Sequence, residues 1–318
     1  MSWVIISIIG CGHIGAKRAR ILDNMGIQTV LYDRDFGRAS NLAGVLNNSY
    51  VYNGVSFPQT DACFVCSPPE SHVEIAIQAA EHVQDVFIEK PLALSLRDPN
   101  LKTLFETIQK KGVVAMMGQS YRHHPSLNEF RKQLDAQRKN PVVFASLSAG
   151  HYLPDWHAGE NWRMSESARM GASLEMWAHS FDTANWLFGE INAVTALIGN
   201  SGELGIPGDD VATALLRVGH NDAHVVVHAD YWRSEKEYRV SATLAVGDAL
   251  EWQMESVDGM LEAETAHFIK AVQTRTQLQP DLAQGAKILE IIDCAKLAAQ
   301  TGTWQKIPGE WKKLVGRI

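Results

Sequence analysis

The first apolar stretch, residues 3–9 (WVIISII), is rich in β-branched side chains and lacks polar alternation, which predicts a strand buried on both faces of a parallel sheet. Residues 16–25 continue as a helix, and residues 28–33 (QTVLYD) form a second strand that ends in an acid. A short polar helix and loop lead to a strand over 62–66. Val73, Ala76, Ile77 and Ala80 fall at i, i+3, i+4 and i+7, which predicts a helix over 70–82. A strand over 85–89 (DVFIE) follows, then a helix over 100–111 with its stripe at Leu101, Leu104, Phe105 and Ile108, then a strand over 113–117. Strand and helix alternate throughout, so residues 1–122 are expected to be an α/β domain of Rossmann type, with a doubly wound parallel sheet.

Past residue 140 the period changes. Strand patterns at 142–148, 193–198, 211–218, 223–231 and 238–246, several joined by short Gly or Asn/Asp turns, predict a mostly antiparallel open sheet. Pro125 starts a helix carried by Leu127, Phe130 and Leu134; another helix is expected over 172–188 and two more over 261–274 and 283–300. Residues 123–318 are therefore expected to form an α+β domain.

The net charge of -7 comes with no basic block and no basic stripe with interleaved aromatics, which argues against a nucleic-acid partner. The apolar run at the start is too short for a membrane span and has no basic leader or small-residue cleavage site, so the expected location is the cytoplasm. Cys11, Cys63, Cys66 and Cys294 make no disulfide framework. Cys63 and Cys66 form a CxxC, but inside an apolar strand and without a second ligand pair, so they are expected in the core and no metal is expected.

Between the first strand and helix lies GCGHIG. Gly10 allows a tight turn, Gly12 leaves room for a pyrophosphate, and Gly15 lets helix and strand pack closely. The helix N-terminus then supplies N–H groups and a favourable dipole for phosphate. Asp33 stands at the end of the second strand, about 20 residues beyond the glycines, where a carboxylate accepts from a ribose hydroxyl and repels a 2′-phosphate. NAD is the expected cofactor; Arg34 beside it keeps NADP open. The bland alternative for Asp33 is a helix cap or turn residue.

Two further features can carry chemistry. Lys90, in Glu89-Lys90-Pro91 at a strand's carboxyl end, is either a solvated lysine beside a turn or a cation able to polarise a substrate hydroxyl and relay its proton. Glu175 and His179 lie four apart and share a helix face, with Asp182 and Trp186 continuing near it. They are either a local packing pair or an acid/base imidazole with its orienting carboxylate.

GCGHIG, CSPPESH, EKP and GASLEMWAHSFD, in this order and spacing, resemble the glucose-fructose oxidoreductase / inositol dehydrogenase / MocA (Gfo/Idh/MocA) family over essentially the whole chain. The resemblance implies oxidation or reduction of a sugar, polyol or nucleotide-sugar hydroxyl with NAD or NADP. It places Lys90 at the reacting hydroxyl, His179 as the acid/base group and Glu175 where the family usually has aspartate. It also places His13, Ile14, Ser67, Pro68, His72 and Glu89 along the cofactor, with Pro69 where asparagine is common. Trp177 replaces a small residue and is expected to narrow the pocket or offer a flat face to a sugar ring.

GHYLPDWHAGENWR, residues 150–163, is similar to a subset associated with bacterial surface-sugar pathways. Tyr152, Asp155, Trp156, His157 and Arg163 form either a sugar-binding surface or a packed aromatic loop, and Arg122 and Asp182 are further substrate candidates. The resemblance implies a homodimer or homotetramer through the second domain's sheet. Three readings stay open: a dehydrogenase or reductase, a cofactor-binding regulator without turnover, and a hydrolase or lyase that uses bound NAD transiently.

Overall fold

Six parallel strands in the order β3-β2-β1-β4-β5-β6 make the sheet of the first unit in the computed structural model, which describes residues 4–54, 56–82, 84–137, 139–156 and 162–315. In chain order the elements are β1 (Ile5–Ile9), α1 (His13–Asn24), β2 (Gln28–Tyr32), α2 (Phe36–Ala43), β3 (Ser49–Val51), β4 (Ala62–Val65), α3 (His72–Glu81), β5 (Asp85–Ile88), α4 (Leu101–Lys111) and β6 (Ala115–Met117). β4 and β5 are buried at every position, as strands covered on both faces must be. The order reverses between β1 and β4, which lie side by side, and that is where open α/β sheets bind ligands. β3 is an addition to the sequence reading: its three residues are too few to show a period within a polar stretch.

The second unit has a sheet in the order β12-β11-β7-β10-β9-β8-β13. Its elements are α5 (Pro125–Ala136), β7 (Val142–Gly150), α6 (Leu153–Trp156), α7 (Glu166–Glu175), α8 (Trp177–Phe188), β8 (Ile191–Gly199), β9 (Val211–Val218), β10 (Ala223–Asp230), β11 (Glu237–Leu244) and β12 (Ala249–Gln253). Then follow α9 (Met260–Thr274), α10 (Leu282–Thr301), β13 (Gln305–Lys306) and α11 (Trp311–Val315). Only the β7–β10 pair is parallel. Burial alternates along β9 and β11, so one face of this sheet meets the core, where Leu147, Leu216, Val225 and Val227 pack with Trp177 and Phe181.

The division between units is not a single cut near residue 122. Gly259–Ala286 and Glu310–Ile318 group with Met1–Ser120, while Tyr121–Asp258 groups with Lys287–Gly309. The reason is in α9: Phe268 completes an aromatic cluster with Phe64 and Phe87 (centroids 5.2 and 5.6 Å away), and Glu264 reaches a buried arginine of α1.

Candidate active site

The glycine turn has the shape its sequence requires. Gly10 has φ +96°, and a Cβ there would lie 2.6 Å from the backbone nitrogen of Ser67, on the loop leaving β4. A Cβ on Gly15 would sit 1.9 Å from the Gly10 carbonyl oxygen, so the turn closes against its own helix. Gly12 differs: a Cβ there would meet nothing within 4 Å. It stands at the N-terminus of α1, which has no side-chain cap and no acid in its first turn of His13, Ile14 and Gly15. An uncapped helix start beside open space is a fit for a phosphate group.

Asp33 follows β2 with its side chain only 4% exposed. One carboxylate oxygen accepts from the Cys11 N–H at 2.8 Å and the other from the Asp35 N–H at 2.9 Å, so it ties the glycine turn to the end of β2. The guanidinium beside it belongs to Arg38, 3.5 Å away; Arg34 is exposed and makes no ion pair with Asp33. Helical spacing explains why Arg38 reaches Asp33. Asp35 caps α2 by accepting from the Arg38 N–H, and Arg38 then sits one turn into the helix.

Beyond the ends of β1 and β2 lies a cavity of roughly 330 Å³ lined by Ile9, Tyr32, Ser56, Phe57, Glu74 and Ile75 among others. Part of its wall is Gly54, Ser56, Phe57 and Pro58, which carry no sequence motif.

At the other strand exits the side chains are tied inward. Glu89 is 8% exposed and binds Arg18 of α1, which donates to its Oε1 from Nε (3.0 Å) and Nη2 (2.8 Å). Arg18 also pairs with Glu264, donates to Thr265 Oγ1 at 2.9 Å and to the Leu261 carbonyl at 3.1 Å, and lies 4.6 Å over the Phe87 ring. Glu264 in turn accepts from the Gln119 N–H at 2.6 Å. Burial and the charge of Glu89 push the Glu264 carboxyl up to about 7, against the pull of Arg18. Arg18 escaped the sequence reading, although a charged residue on the apolar Gly15-Ala19-Leu22 stripe is a detectable signal.

His72 is 1% exposed, with both ring nitrogens on backbone carbonyls, so its expected cofactor contact through the ring is corrected to an internal clamp. Ser67 and Pro68 are half-buried at the β4 exit, where the Ser71 hydroxyl donates to Ser67 Oγ at 2.8 Å. Lys90 is half-buried.

In the second unit the expected helix over 172–188 is two helices. Gly171 (φ +75°) kinks α7, since a Cβ there would meet Asp209 Oδ1 at 2.4 Å. Asp209 caps the segment that follows by accepting from Ser173 N–H (2.7 Å) and Oγ–H (2.8 Å). Met176 alone separates α7 from α8 and accepts from the N–H groups of His179 and Ser180. Across Gly171 to Ala184 every residue is buried except Glu175 and His179. The imidazole of His179 packs on the Tyr121 ring at 4.5 Å, and Tyr121 packs on Tyr238 at 4.3 Å. Burial, then the nearby Tyr238 and Glu175, push the Tyr121 phenol well above its ordinary range, so it stays neutral. Tyr121 also escaped the sequence reading, because nothing local marks it as the partner of a helix 58 residues further on.

Three substrate candidates, Trp177, Arg122 and Asp182, are engaged within the fold. Trp177 is fully buried and stacked on Phe181 at 4.9 Å, so it presents no face to a sugar. Arg122 and Asp182 bind each other through Nε–Oδ2 and Nη2–Oδ1, both at 2.7 Å, a bidentate pair that occupies both groups.

In the 150–163 stretch, Tyr152 and Trp156 are each 36% exposed. The Trp156 ring lies 4.7 Å from His151 and carries the Lys236 ammonium at 3.8 Å. Asp155 is exposed, Arg163 donates from Nε to the Leu204 carbonyl at 3.1 Å, and His157 lies outside the described residues.

Cys11 and Cys63 are buried thiols, each pushed up to about 12 by burial, so neither supplies a thiolate. Among the described residues no group of three or more His, Cys, Asp or Glu is placed to hold a metal ion, and no helix is long and apolar enough to cross a membrane. For NAD the residues fit: Gly12 and the uncapped α1 suit the phosphates, Asp33 a ribose, and the cavity a flat base.

Comparison with known proteins agrees. Residues 4–119 match the family model described as "Oxidoreductase family, NAD-binding Rossmann fold", and residues 128–247 match the "GFO/IDH/MocA C-terminal domain". The chain is 31% identical over 146 residues to levoglucosan dehydrogenase of Pseudarthrobacter phenanthrenivorans, covering 44% of this chain and 36% of that one. It is 26% identical over 202 residues to scyllo-inositol 2-dehydrogenase (NAD(+)) of Bacillus subtilis, covering 59% and 55%. The chain thus spans between about a third and a little over half of these relatives' lengths. A solved scyllo-inositol dehydrogenase from Lactobacillus casei, with NAD(H) and scyllo-inositol bound, shares the fold at a TM-score of 0.82 and 14% identity, over 96% of this chain and 99% of that one. Glycine turn, acid-ended second strand, EKP loop and both matched regions lead to one assignment: the chain belongs to the Gfo/Idh/MocA oxidoreductase family, with an NAD-binding Rossmann fold as its first unit.

Proposed function

We propose that the protein is an NAD-dependent dehydrogenase or reductase acting on a hydroxyl or keto carbon of a sugar, polyol or nucleotide sugar. One observation carries this reading: from Gly171 to Ala184 only Glu175 and His179 reach the surface, so an otherwise sealed segment presents a carboxylate and an imidazole four residues apart. Relatives named as levoglucosan and scyllo-inositol dehydrogenases support the substrate class. The bound nicotinamide supplies or accepts hydride. In the oxidative direction His179 is assigned the hydroxyl proton and Lys90 the polarisation of a substrate hydroxyl; in reduction His179 returns the proton. Tyr121 packs on the His179 ring and fixes its plane. Tyr152, Trp156 and Arg163 remain candidates for sugar contact at the surface. A place in a bacterial surface-sugar pathway and assembly through the second sheet belong to the same proposal.

The test is a panel of polyols, anhydrosugars and nucleotide sugars with NAD, followed through NADH formation, for the wild type, Lys90→Ala and His179→Ala. The variants should lose turnover by about 10²–10⁴-fold while the NADH dissociation constant holds. Lost NADH binding with unchanged turnover at saturation overturns the residue roles. A converted sugar with no net change in NAD identifies transient use of the cofactor instead.

A further inference from the structure

The imidazole of His72 is enclosed at the start of α3, and both its nitrogens meet backbone carbonyls. Nδ1 lies 2.8 Å from the oxygen of Pro91, and Nε2 lies 2.7 Å from the oxygen of Ser67. A carbonyl oxygen only accepts, so both contacts are hydrogen bonds only if both nitrogens carry a proton. A neutral imidazole has one N–H and would set a bare lone pair against the other carbonyl at hydrogen-bond distance, too close for a third group between them.

The two carbonyls are not neighbours in the chain. Ser67 is on the loop leaving β4, next to the glycine turn, and Pro91 follows Lys90 on the loop leaving β5. We propose that His72 is a buried imidazolium that bolts these two loops together and, with Arg18 holding Glu89, fixes the backbone on both sides of Lys90. It is a positioning residue, and the inference rests on the reading of Lys90 as the group at the substrate hydroxyl.

The charges around the ring agree with this protonation. Glu89, at the β5 exit, and Glu70, in the turn before α3, both favour the cation. The cations beside the clamped segment are Lys90, next to Pro91 in the chain, and Arg18, which is held by Glu89. Burial opposes the charge and acts to lower the ring's pKa; the Pro91 and Ser67 carbonyls, then Glu89 and Glu70, act to raise it. The doubly donating geometry decides between them, because the neutral ring cannot satisfy both carbonyls.

The first measurement uses the whole wild-type chain with ¹⁵N-labelled histidine and needs no turnover. With the ring assigned through the backbone from Ser71, both His72 nitrogens should carry protons at neutral pH; one protonated and one bare nitrogen in the folded protein overturns the imidazolium. The second uses His72→Asn, whose amide does not titrate and whose single NH2 group cannot reach both carbonyls as the two ring nitrogens do. If it folds, as near-ultraviolet circular dichroism reports, it should bind NADH as the wild type does and lose about tenfold or more in kcat. The wild-type kcat should also fall at high pH as the imidazolium is lost, and the Asn variant should lack that limb. An unchanged kcat and pH profile in folded His72→Asn would sever the clamp from Lys90. If no substrate is turned over, the spectrum still judges the imidazolium separately from the dehydrogenase reading.

Discussion

Arg18 donates to one oxygen of Glu89 from two nitrogens, at 3.0 and 2.8 Å, and it does so from the helix that begins at the glycine turn. A single guanidinium therefore joins the helix after the glycine turn to the residue that precedes Lys90. Because Glu264 shares the same guanidinium, α9 is tied to both.

Arg18 is enclosed with two carboxylates, so removing it should be far costlier than losing a surface pair. Arg18→Met leaves Glu89 and Glu264 buried and facing each other, and the expected loss is about 3–5 kcal/mol, read as a lower midpoint in urea. Arg18→Lys keeps the charge but cannot match the forked donors, and should fall between. A midpoint for Arg18→Met equal to the wild type would mean that the pair contributes nothing.

The Glu264 carboxyl gives this network a pH signature. Its folded pKa is raised to about 7 from 4.5, so between these values the folded chain holds a proton that the unfolded chain has released. Stability from this group is present at low pH and is lost as pH rises from 4.5 through about 7. Glu264→Gln keeps an acceptor for the Gln119 N–H and does not titrate. Its melting temperature relative to the wild type should therefore rise steadily across that range; a constant difference would rule out the raised pKa.

The fold was readable where one residue type serves one geometry. GCGHIG, the acid after QTVLY and the prolines after the β4 and β5 strands each mark a turn that few sequences allow. The site was less readable where a side chain's direction depends on distant chain. Periodicity places Trp177 and His179 on one short helix, but the sheet beneath buries the tryptophan and leaves the histidine at the surface. The Arg122–Asp182 pair spans 60 residues and Arg18–Glu264 spans 246, separations at which no local pattern exists. Arg38, one turn into α2 and beside Asp33, carries no local signal that would set it apart from Arg34.

Gly12 and Gly15 should separate binding from folding. A methyl group on Gly15 would strike the Gly10 carbonyl at 1.9 Å, so Gly15→Ala should destabilise the chain by about 1–3 kcal/mol or more. Gly12→Ala has open space and an ordinary φ of -68°, so its melting temperature should match the wild type. The added methyl group would instead stand where a pyrophosphate approaches, and NADH affinity should fall about tenfold or more, some 1.4 kcal/mol. Wild-type affinity in Gly12→Ala would place the phosphates elsewhere.

Cofactor choice should turn on Asp33 and Arg38 together. Asp33 presents a carboxylate where the second ribose hydroxyl is expected, and that charge holds Arg38 at 3.5 Å. Asp33→Ser removes the repulsion toward a 2′-phosphate and frees the guanidinium to face it. NADH affinity should then fall by about 1.5–3 kcal/mol, the worth of hydrogen bonds to a charged group, while NADPH affinity rises. Because Asp33 also accepts from the Cys11 and Asp35 N–H groups, some loss of stability should accompany the switch, and a melting curve reports it separately. The deciding comparison is Asp33→Ser with and without Arg38→Ala, titrated with both nucleotides by fluorescence. If Arg38 is the phosphate's partner, the NADPH gain shrinks in the double variant; if the gain is undiminished, Arg38 makes no contact with the phosphate.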